Sequence, residues 1–331
     1  VLIAILGLYG TLMFRLGLPL LPSSVLVKSP ATAAIADGGL MSAFTHVIQN
    51  LYESLTNRWG ILFAVSSALI LIKLSRGDGA IERHHRIVGM VSVLALTAHV
   101  VLGRYGWFAR YEVYATAIMV VAAICLGANA LRQIDGWRLA VFPLLLALVA
   151  APYVSPAIKT PAASINIYQQ QYQMHRFATE FFPRPVAVND LGWVSYQNNA
   201  YVLDLWGLGS EEARTMTCDP QRRSVSIEQL ACRHDVSFAM LYDEWFDGAV
   251  PASWERMAEL RTERITAASD RVVFYLVDSK ERSTMRKALA AFSRKLPAAA
   301  VLTVFNGNAH GTGEACCQQH RTTADSSDGN K

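Results

Sequence analysis

Long apolar runs dominate the first half of the chain and predict helices that cross a membrane. They cover residues 1–14, 60–72, 87–103, 114–131 and 139–153, and short stretches rich in Arg, Lys, Tyr and Trp separate them. A perpendicular span needs roughly 20 residues, so several runs are short. Flanking aromatic and basic side chains can supply the missing length by snorkelling. We therefore expect about five spans.

Two stretches of this half do not look like spans. Pro19 and Pro22 make a regular helix through residues 15–28 improbable. Residues 39–56 place apolar side chains at helical spacing, which predicts an amphipathic helix on the membrane surface or against other helices.

After residue 155, charged residues become more frequent and apolar positions alternate with polar ones, which predicts a soluble domain. Apolar stretches at 186–190, 201–207, 235–242 and 271–277 are typical of strands, and residues 283–296 form an amphipathic helical pattern. The predicted fold class is thus a polytopic α-helical membrane domain (1–155) followed by a small extracytoplasmic α/β domain (156–305). Polar composition predicts a disordered tail at 306–331.

Basic residues set the expected orientation. By the positive-inside rule, the loops at 73–86 and 132–138 face the cytoplasm, since they carry Lys73, Arg76, Arg83, Arg86, Arg132 and Arg138. The turn at 104–113 and everything after 154 then face outward, although Arg104 and Arg110 weaken the bias. The first residues form no basic n-region, so we expect that helices precede Val1.

The cysteines, the histidines and the net charge bear on three possibilities: a disulfide, a metal site and nucleic-acid binding. Cys218 and Cys232, with thirteen residues between them, are a candidate disulfide for an oxidising compartment. A metal site is conceivable at Cys316, Cys317, His310 and His320 or at His84-His85. Disorder of the tail, and adjacent histidines pointing apart, argue against both, so we predict no metal and no cofactor. The net charge of +4 gives no nucleic-acid footprint.

The turn between the third and fourth long runs contains several polar groups that are costly to place in a membrane. It reads His99-Val-Val-Leu-Gly-Arg104-Tyr-Gly-Trp-Phe-Ala-Arg110-Tyr111-Glu112-Val-Tyr. Arg and Glu are expensive at membrane depth, whereas Tyr and Trp favour the interface. The turn is either an interfacial anchor or the floor of a site for an anionic lipid-linked substrate.

Three short stretches resemble bacterial polytopic glycosyltransferases of the GT-C superfamily, which include aminoarabinose and mannosyl transferases that use polyprenyl-phosphate sugars. Arg15 followed by Pro22-Ser-Ser-Val-Leu-Val-Lys28 is similar to their "R…lPn…aK" loop. Arg110-Tyr111-Glu112-Val-Tyr114 is similar to their "RYe-Y" turn. Residues 186–210 are similar to the segment after the last membrane helix.

The resemblance implies the C-terminal portion of such an enzyme in a bacterial inner membrane, with a polyprenyl-phosphate-linked sugar and membrane lipid as partners and an unknown acceptor. Arg15, Lys28, Arg104 and Arg110 would bind the lipid phosphate, with Tyr111, Glu112 and His99 in support. Snorkelling is the alternative role, favoured for Arg104 and Arg15. We expect Glu112 to orient Arg110 or Arg104 through an ion pair.

The sequence departs from this family in two places. The acidic motif that supplies the family's catalytic carboxylate is absent before residue 60, so the catalytic residue is unknown, and Ser23-Ser24 replaces the usual Asn. The main alternative function is a non-catalytic membrane-anchored scaffold or partner-binding module. A transporter ranks below both, because apart from His99 the spans lack charged groups.

Overall fold

The computed structural model describes residues 2–36, 39–76, 82–132, 138–217 and 219–305. The chain divides into two compact units, Val1–Thr160 and Pro161–Lys331. The predicted tail at 306–331 lies outside the described residues, as do Cys316, Cys317, His310 and His320.

In the described part of the first unit, all the regular elements are helices. Pro19 and Pro22 fall in the non-helical stretch between the first two helices, and the second helix starts directly after Pro22. The helices are α1 (Leu2–Arg15), α2 (Ser23–Lys28), α3 (Pro30–Ala36), α4 (Leu40–Thr56), α5 (Arg58–Ser75), α6 (Arg83–Leu102), α7 (Val113–Arg132) and α8 (Arg138–Gln169), the last of which continues into the second unit.

Helices α5, α6 and α7 pack around one apolar core. Phe63, Leu96 and Ala115 are fully buried there. The opposite faces of the same helices leave large apolar side chains exposed, among them Ile61, Val65, Leu69, Met90, Val91, Leu94 and Val121. Their outer surface therefore carries many large apolar side chains.

Three described helices are long and apolar enough to cross a membrane. They are Arg58–Ser75, Arg83–Leu102 and a segment Pro143–Phe181 that covers most of α8 and the turns after it; Val113–Ala128 is a shorter apolar helix. The predicted run at 60–72 thus lies within α5, and the run at 87–103 lies within α6 except for its last residue, Gly103.

The second unit contains a mixed six-stranded sheet with the order β2-β1-β3-β5-β4-β6. Strands β1 (Val186–Val188), β2 (Val202–Asp204) and β3 (Phe238–Leu241) are parallel, and β4 (Glu255–Arg261), β5 (Arg271–Leu276) and β6 (Val301–Val304) join antiparallel. The four predicted strands are confirmed, and each end lies within three residues of the predicted one. Strands β4 and β6 were not predicted.

Helices cover both faces of this sheet. Side chains alternate along each strand, so Val186 and Val188 join one core and Ala187 joins the other. The first core holds α9 (Gln171–Arg176), a π-helical turn at Phe177–Phe181 and α13 (Arg282–Ser293). The second holds α12 (Pro220–Arg233), and α10 (Gly192–Ser195) and α11 (Glu211–Arg214) are short connections.

Candidate functional site

The turn predicted at 104–113 is found at residues 103–112, as a hairpin at one end of the α5–α7 bundle. Two hydrogen bonds connect α4 to α6 at the end of the bundle that carries the hairpin. Asn50 donates to the Val101 carbonyl (2.9 Å) and Ser54 donates to the Val100 carbonyl (2.7 Å). The Ser29 hydroxyl donates to the Leu102 carbonyl at 3.4 Å. The end of α2 and the start of the hairpin are therefore neighbours.

His99 and Gly103 fix the point where the hairpin leaves α6. His99 is 3 % exposed, and its Nδ1 lies 2.7 Å from the Tyr114 hydroxyl. A Cβ on Gly103 would lie 2.4 Å from the His99 carbonyl oxygen and 2.7 Å from its ring, so a side chain does not fit there. His99 thus joins the two helices that flank the hairpin.

The hairpin backbone is left-handed over four successive residues. Gly106, Trp107, Phe108 and Ala109 have φ values of 99°, 52°, 62° and 56°. Each non-glycine residue in this region costs about 1–2 kcal/mol. Strained backbone persists where the surroundings hold it, and such positions cluster at functional sites.

Glu112 holds this turn closed. Its Oε1 accepts a hydrogen bond from the Gly106 amide, and the residue is 1 % exposed. Within the described part of the chain, no ion pair joins Glu112 to Arg104 or Arg110, so the expected ion pair is wrong. The carboxylate serves the backbone turn instead.

Two of the four predicted cations lie on the hairpin, and a third, Lys28, lies at the helix end next to its start. Lys28 is half-buried and ends α2, one residue before the Ser29 contact. Arg104 is exposed, and exposed Arg110 packs over the Tyr111 ring (5.1 Å) and donates to its hydroxyl (3.1 Å). Arg15 is exposed at the end of α1, and no described contact links it to the hairpin.

The opposite end of the bundle carries another cationic segment. Gly89 of α6 faces Leu74 of α5, whereas the His99 ring lies 5.3 Å from Phe63, so these two helices run antiparallel and Arg83 lies at the far end from the hairpin. There Glu82, His84 and His85 bring three ligand atoms within 4.8 Å of one another. The expectation that the adjacent histidines point apart is therefore wrong, while the absence of a metal site stays a prediction.

The second unit gathers polar side chains where its parallel strands end. The chain passes from β1 to β2 on one side and then to β3 on the other, so the point where strand order reverses lies between β1 and β3. Open α/β sheets bind ligands outside the carboxyl ends of strands at such a point. Asn189 and Asp190 follow β1 there, and Tyr242 and Asp243 follow β3.

Tyr242 is the centre of this strand-end cluster. Its hydroxyl lies 2.9 Å from Gln170 Oε1, 3.1 Å from Asp190 Oδ2 and 3.2 Å from Gln171 Nε2. Its amide donates to Asn189 Oδ1 at 2.9 Å. Burial, and then the neighbouring Asp190 carboxylate, raise the pKa of the Tyr242 phenol well above its usual value. The phenol therefore keeps its proton and donates it as a hydrogen bond.

A small solvent-open pocket lies next to this cluster. Asp243, Arg256, Glu259 and Ser269 line it. Burial raises the pKa of the Asp243 carboxyl, although the Tyr275 hydroxyl lies 2.9 Å from both its oxygens. Glu259, only 5 % exposed, pairs with Arg256.

The strand-end cluster is not among the site residues predicted from the sequence. Asn189, Asp190 and Asp204 stand out as polar residues after apolar strands. Tyr242 and Asp243 carry the same signal, but Tyr242 was counted as part of the strand. Asp204 holds the following loop, since it accepts hydrogen bonds from the amides of Trp206 (2.8 Å) and Gly209 (2.6 Å).

The structure describes only one of the two cysteines of the candidate disulfide. Cys232, at the end of α12, is disulfide-bonded. Cys218 lies outside the described residues, so the pairing of these two cysteines stays a prediction.

One family model matches the chain, over residues 164–275, and its family is described as a domain of unknown function, DUF8728. The match covers about a third of the chain and includes Gln170, Asp190 and Tyr242. No curated protein and no solved structure matches the chain.

Proposed function

We propose that the first unit is a polytopic domain of a bacterial inner membrane and that its hairpin end binds the phosphate of a polyprenyl-phosphate-linked sugar. In this proposal the chain is part of a membrane glycosyltransferase. The sugar passes from the lipid phosphate to an acceptor hydroxyl at the outer face of the membrane.

The membrane part rests on the outer surface of the helices. Apolar side chains cover the core side and the exposed side of α5 and α6, as a lipid solvent requires. Helix α8 has 32 residues and is about 48 Å long at 1.5 Å per residue, which exceeds the bilayer core of about 30 Å. Only its first part spans in this proposal, because Asn166 and later residues bond to the α/β unit.

The outward orientation rests on two independent features. Lys73, Arg76, Arg83 and Arg86 lie at the end of the bundle opposite the hairpin, and an excess of basic residues favours the cytoplasmic side. The disulfide at Cys232 favours an oxidising compartment for the second unit.

The observation that carries the phosphate site is the strained hairpin that Glu112 closes. The turn costs several kcal/mol of backbone strain by the usual per-residue values, which an ordinary anchor does not require. It leaves Arg104 and Arg110 exposed, and Lys28 precedes Ser29, which contacts the Leu102 carbonyl just before the hairpin. Guanidinium groups match phosphate oxygens with a planar fork, and Lys adds a point charge.

These cations suit the chemistry of glycosyl transfer. When the bond between the sugar carbon and the phosphate oxygen breaks, negative charge develops on the polyprenyl phosphate. Preorganised cations near a low-dielectric membrane edge stabilise that charge more than water does. The residue that removes the acceptor proton is not among the predicted site residues, because Glu112 is buried and bonded to a backbone amide.

Because Glu112 is buried and bonded to a backbone amide, no predicted site residue can act as the base. This favours a second candidate, a non-catalytic membrane-anchored module. Such a protein would keep the hairpin as an interfacial anchor, with Tyr111 and Trp107 at the headgroup level. It predicts no preference for a phosphorylated polyprenyl lipid over any other lipid.

Titration of the purified chain in detergent with a polyprenyl phosphate separates the two candidates. Loss of one charged hydrogen bond costs about 1.5–3 kcal/mol, so a Lys28→Ala, Arg110→Ala variant should bind at least about tenfold more weakly. The matched control is Arg83→Ala, Arg86→Ala, which removes two charges at the opposite end and should bind as the unmodified chain does. Equal binding by both double variants would favour the membrane-anchored module.

A further inference from the structure

Five aromatic side chains form a continuous surface on α8, α9 and α10 in the second unit. This aromatic patch consists of Tyr168, Tyr172, His175, Trp193 and Tyr196. Ring centroids lie 5.4 Å apart for Tyr168–Tyr172, 5.3 Å for Tyr172–Trp193 and 5.7 Å for Trp193–Tyr196. His175 lies 6.1 Å from Trp193, so the rings form one connected group.

The aromatic patch is open to its surroundings. Trp193 is 40 % exposed, Tyr168 49 % and Tyr196 55 %. Large apolar side chains of a folded domain are normally buried, and a group of exposed aromatics marks a binding surface. The patch therefore has faces available for a ligand.

Polar side chains near the aromatic patch have oxygen atoms that can accept further hydrogen bonds. Asp190 precedes Trp193 by three residues, and its hydrogen bonds to Gln171 (3.3 Å) and Tyr242 (3.1 Å) both use Oδ2. Gln171 is 6 % exposed, and its Oε1 has no hydrogen-bond partner among the described residues. A buried acceptor without a partner is costly, and a bound donor would relieve that cost.

The location agrees with a binding site. Asp190 follows β1 at the point where strand order reverses, which is where open α/β sheets bind ligands. Gly192 lacks a Cβ, which would lie 3.6 Å from Asp190 Oδ1, so residue 192 puts no side chain against this oxygen. Two independent features, the aromatic patch and the strand end, thus meet at one place.

We propose that this surface binds a neutral saccharide, with a sugar ring stacked on Trp193 and its hydroxyls bonded to Asp190 and Gln171. The electron-rich face of an indole attracts the C–H groups of a sugar ring. A carboxylate accepts two hydroxyl donors, and an amide oxygen accepts another. Aromatic stacking combined with planar acceptors is the chemistry that recognises a polyhydroxylated ring.

A saccharide fits these residues better than a membrane surface. The Asp190 carboxylate beside the aromatic patch would be repelled by anionic lipid headgroups. Headgroup contact would also leave the buried Gln171 oxygen without a donor. The inference rests on the second unit alone, so the phosphate site at the hairpin and this saccharide site can fail separately.

Saturation-transfer NMR on the full chain in nanodiscs tests the proposal. The probes are three neutral hexasaccharides: maltohexaose, α-mannohexaose and chitohexaose. Saturation should reach the ring protons of at least one of them, and Trp193→Ala should weaken its binding by roughly tenfold or more. Asp190→Asn, which keeps the shape of the side chain, should weaken it to a similar extent.

Tyr201→Ala is the matched control, because Tyr201 is 48 % exposed but stacks on His234 outside the aromatic patch. It should bind the probe as the unmodified chain does, and unchanged unfolding temperatures would show that all variants fold. No transfer to any of the three saccharides would overturn the proposal, as would unchanged binding by Trp193→Ala. Quenching of Trp193 fluorescence by brominated lipid acyl chains, judged against Trp193→Phe, would instead assign the patch to the membrane and also overturn it.

Discussion

The carboxylate of Glu112 accepts a hydrogen bond from the backbone amide of Gly106, six residues earlier in the chain. This contact closes a turn in which Trp107, Phe108 and Ala109 all have positive φ. Arg104 and Arg110 lie on either side of the closed turn, and both are exposed. The position of the two guanidinium groups therefore depends on a carboxylate that does not contact either of them.

Replacing Glu112 should loosen the hairpin. We expect Glu112→Ala to lower the free energy of unfolding by about 1–3 kcal/mol, because a buried hydrogen bond is lost. Glu112→Gln keeps an oxygen acceptor for the Gly106 amide and should lose less than half of that. Thermal unfolding in detergent measures both, and equal losses would mean that the charge of Glu112 matters more than its hydrogen bond.

The left-handed turn predicts opposite effects for two small substitutions. Ala109→Gly should raise the free energy of unfolding by roughly 0.5–1 kcal/mol, since glycine adopts a φ of 56° without steric cost. Gly106→Ala should lower it by about 1–3 kcal/mol, and only through the backbone, because no atom lies within 4 Å of the added Cβ. Thermal unfolding measures both variants. If the unfolding temperatures of both moved in the same direction, the left-handed conformation of the turn would be contradicted.

Asp243 should make stability depend on pH in a defined direction. Burial raises the pKa of its carboxyl in the folded state above the unfolded value of 3.8. Between the two pKa values the folded state binds more protons, so the contribution of Asp243 is fully present below 3.8 and is lost as pH rises through the folded pKa.

Asp243→Asn does not titrate and isolates this effect. The free energy of unfolding of the unmodified chain, minus that of the variant, should be larger at pH 3.5 than at pH 7. Chemical denaturation at both pH values gives the difference. A difference that grows with pH would mean that the carboxylate is stabilised in its charged form.

The disulfide at Cys232 should have Cys218 as its partner. Peptide mapping by mass spectrometry without reduction should recover the two cysteines in one cross-linked peptide. Cys218→Ala should make the Cys232 thiol reactive to an alkylating reagent and cost roughly 3 kcal/mol of stability, the value for a loop of about 15 residues. A Cys232 that stays blocked in this variant would require another partner.

Local patterns in the sequence predict the helices and the central strands well. Residues 39–56 read as an amphipathic helix and form α4 (Leu40–Thr56), because its apolar side chains recur at helical spacing. The strands β1, β3 and β5 are buried on both faces and so appear as short continuous apolar runs.

Contacts between distant residues could not be predicted in the same way. Strand β4 was missed because four of its seven residues, Glu255, Arg256, Glu259 and Arg261, are charged. Glu259 is nevertheless buried, since both arginines pair with it. The ion pair expected for Glu112 failed for a related reason: an unpaired backbone amide six residues away is invisible in a pattern of side chains.

The central claim is that the hairpin end recognises the phosphate of a polyprenyl lipid. The most direct measurement compares binding of a polyprenyl phosphate and of the uncharged polyprenol of the same length to the unmodified chain in detergent. We predict that the phosphate form binds at least about tenfold more tightly, and that this preference disappears in Lys28→Ala, Arg110→Ala. Equal affinity for the two lipids would contradict the account and leave the hairpin as an anchor at the membrane interface.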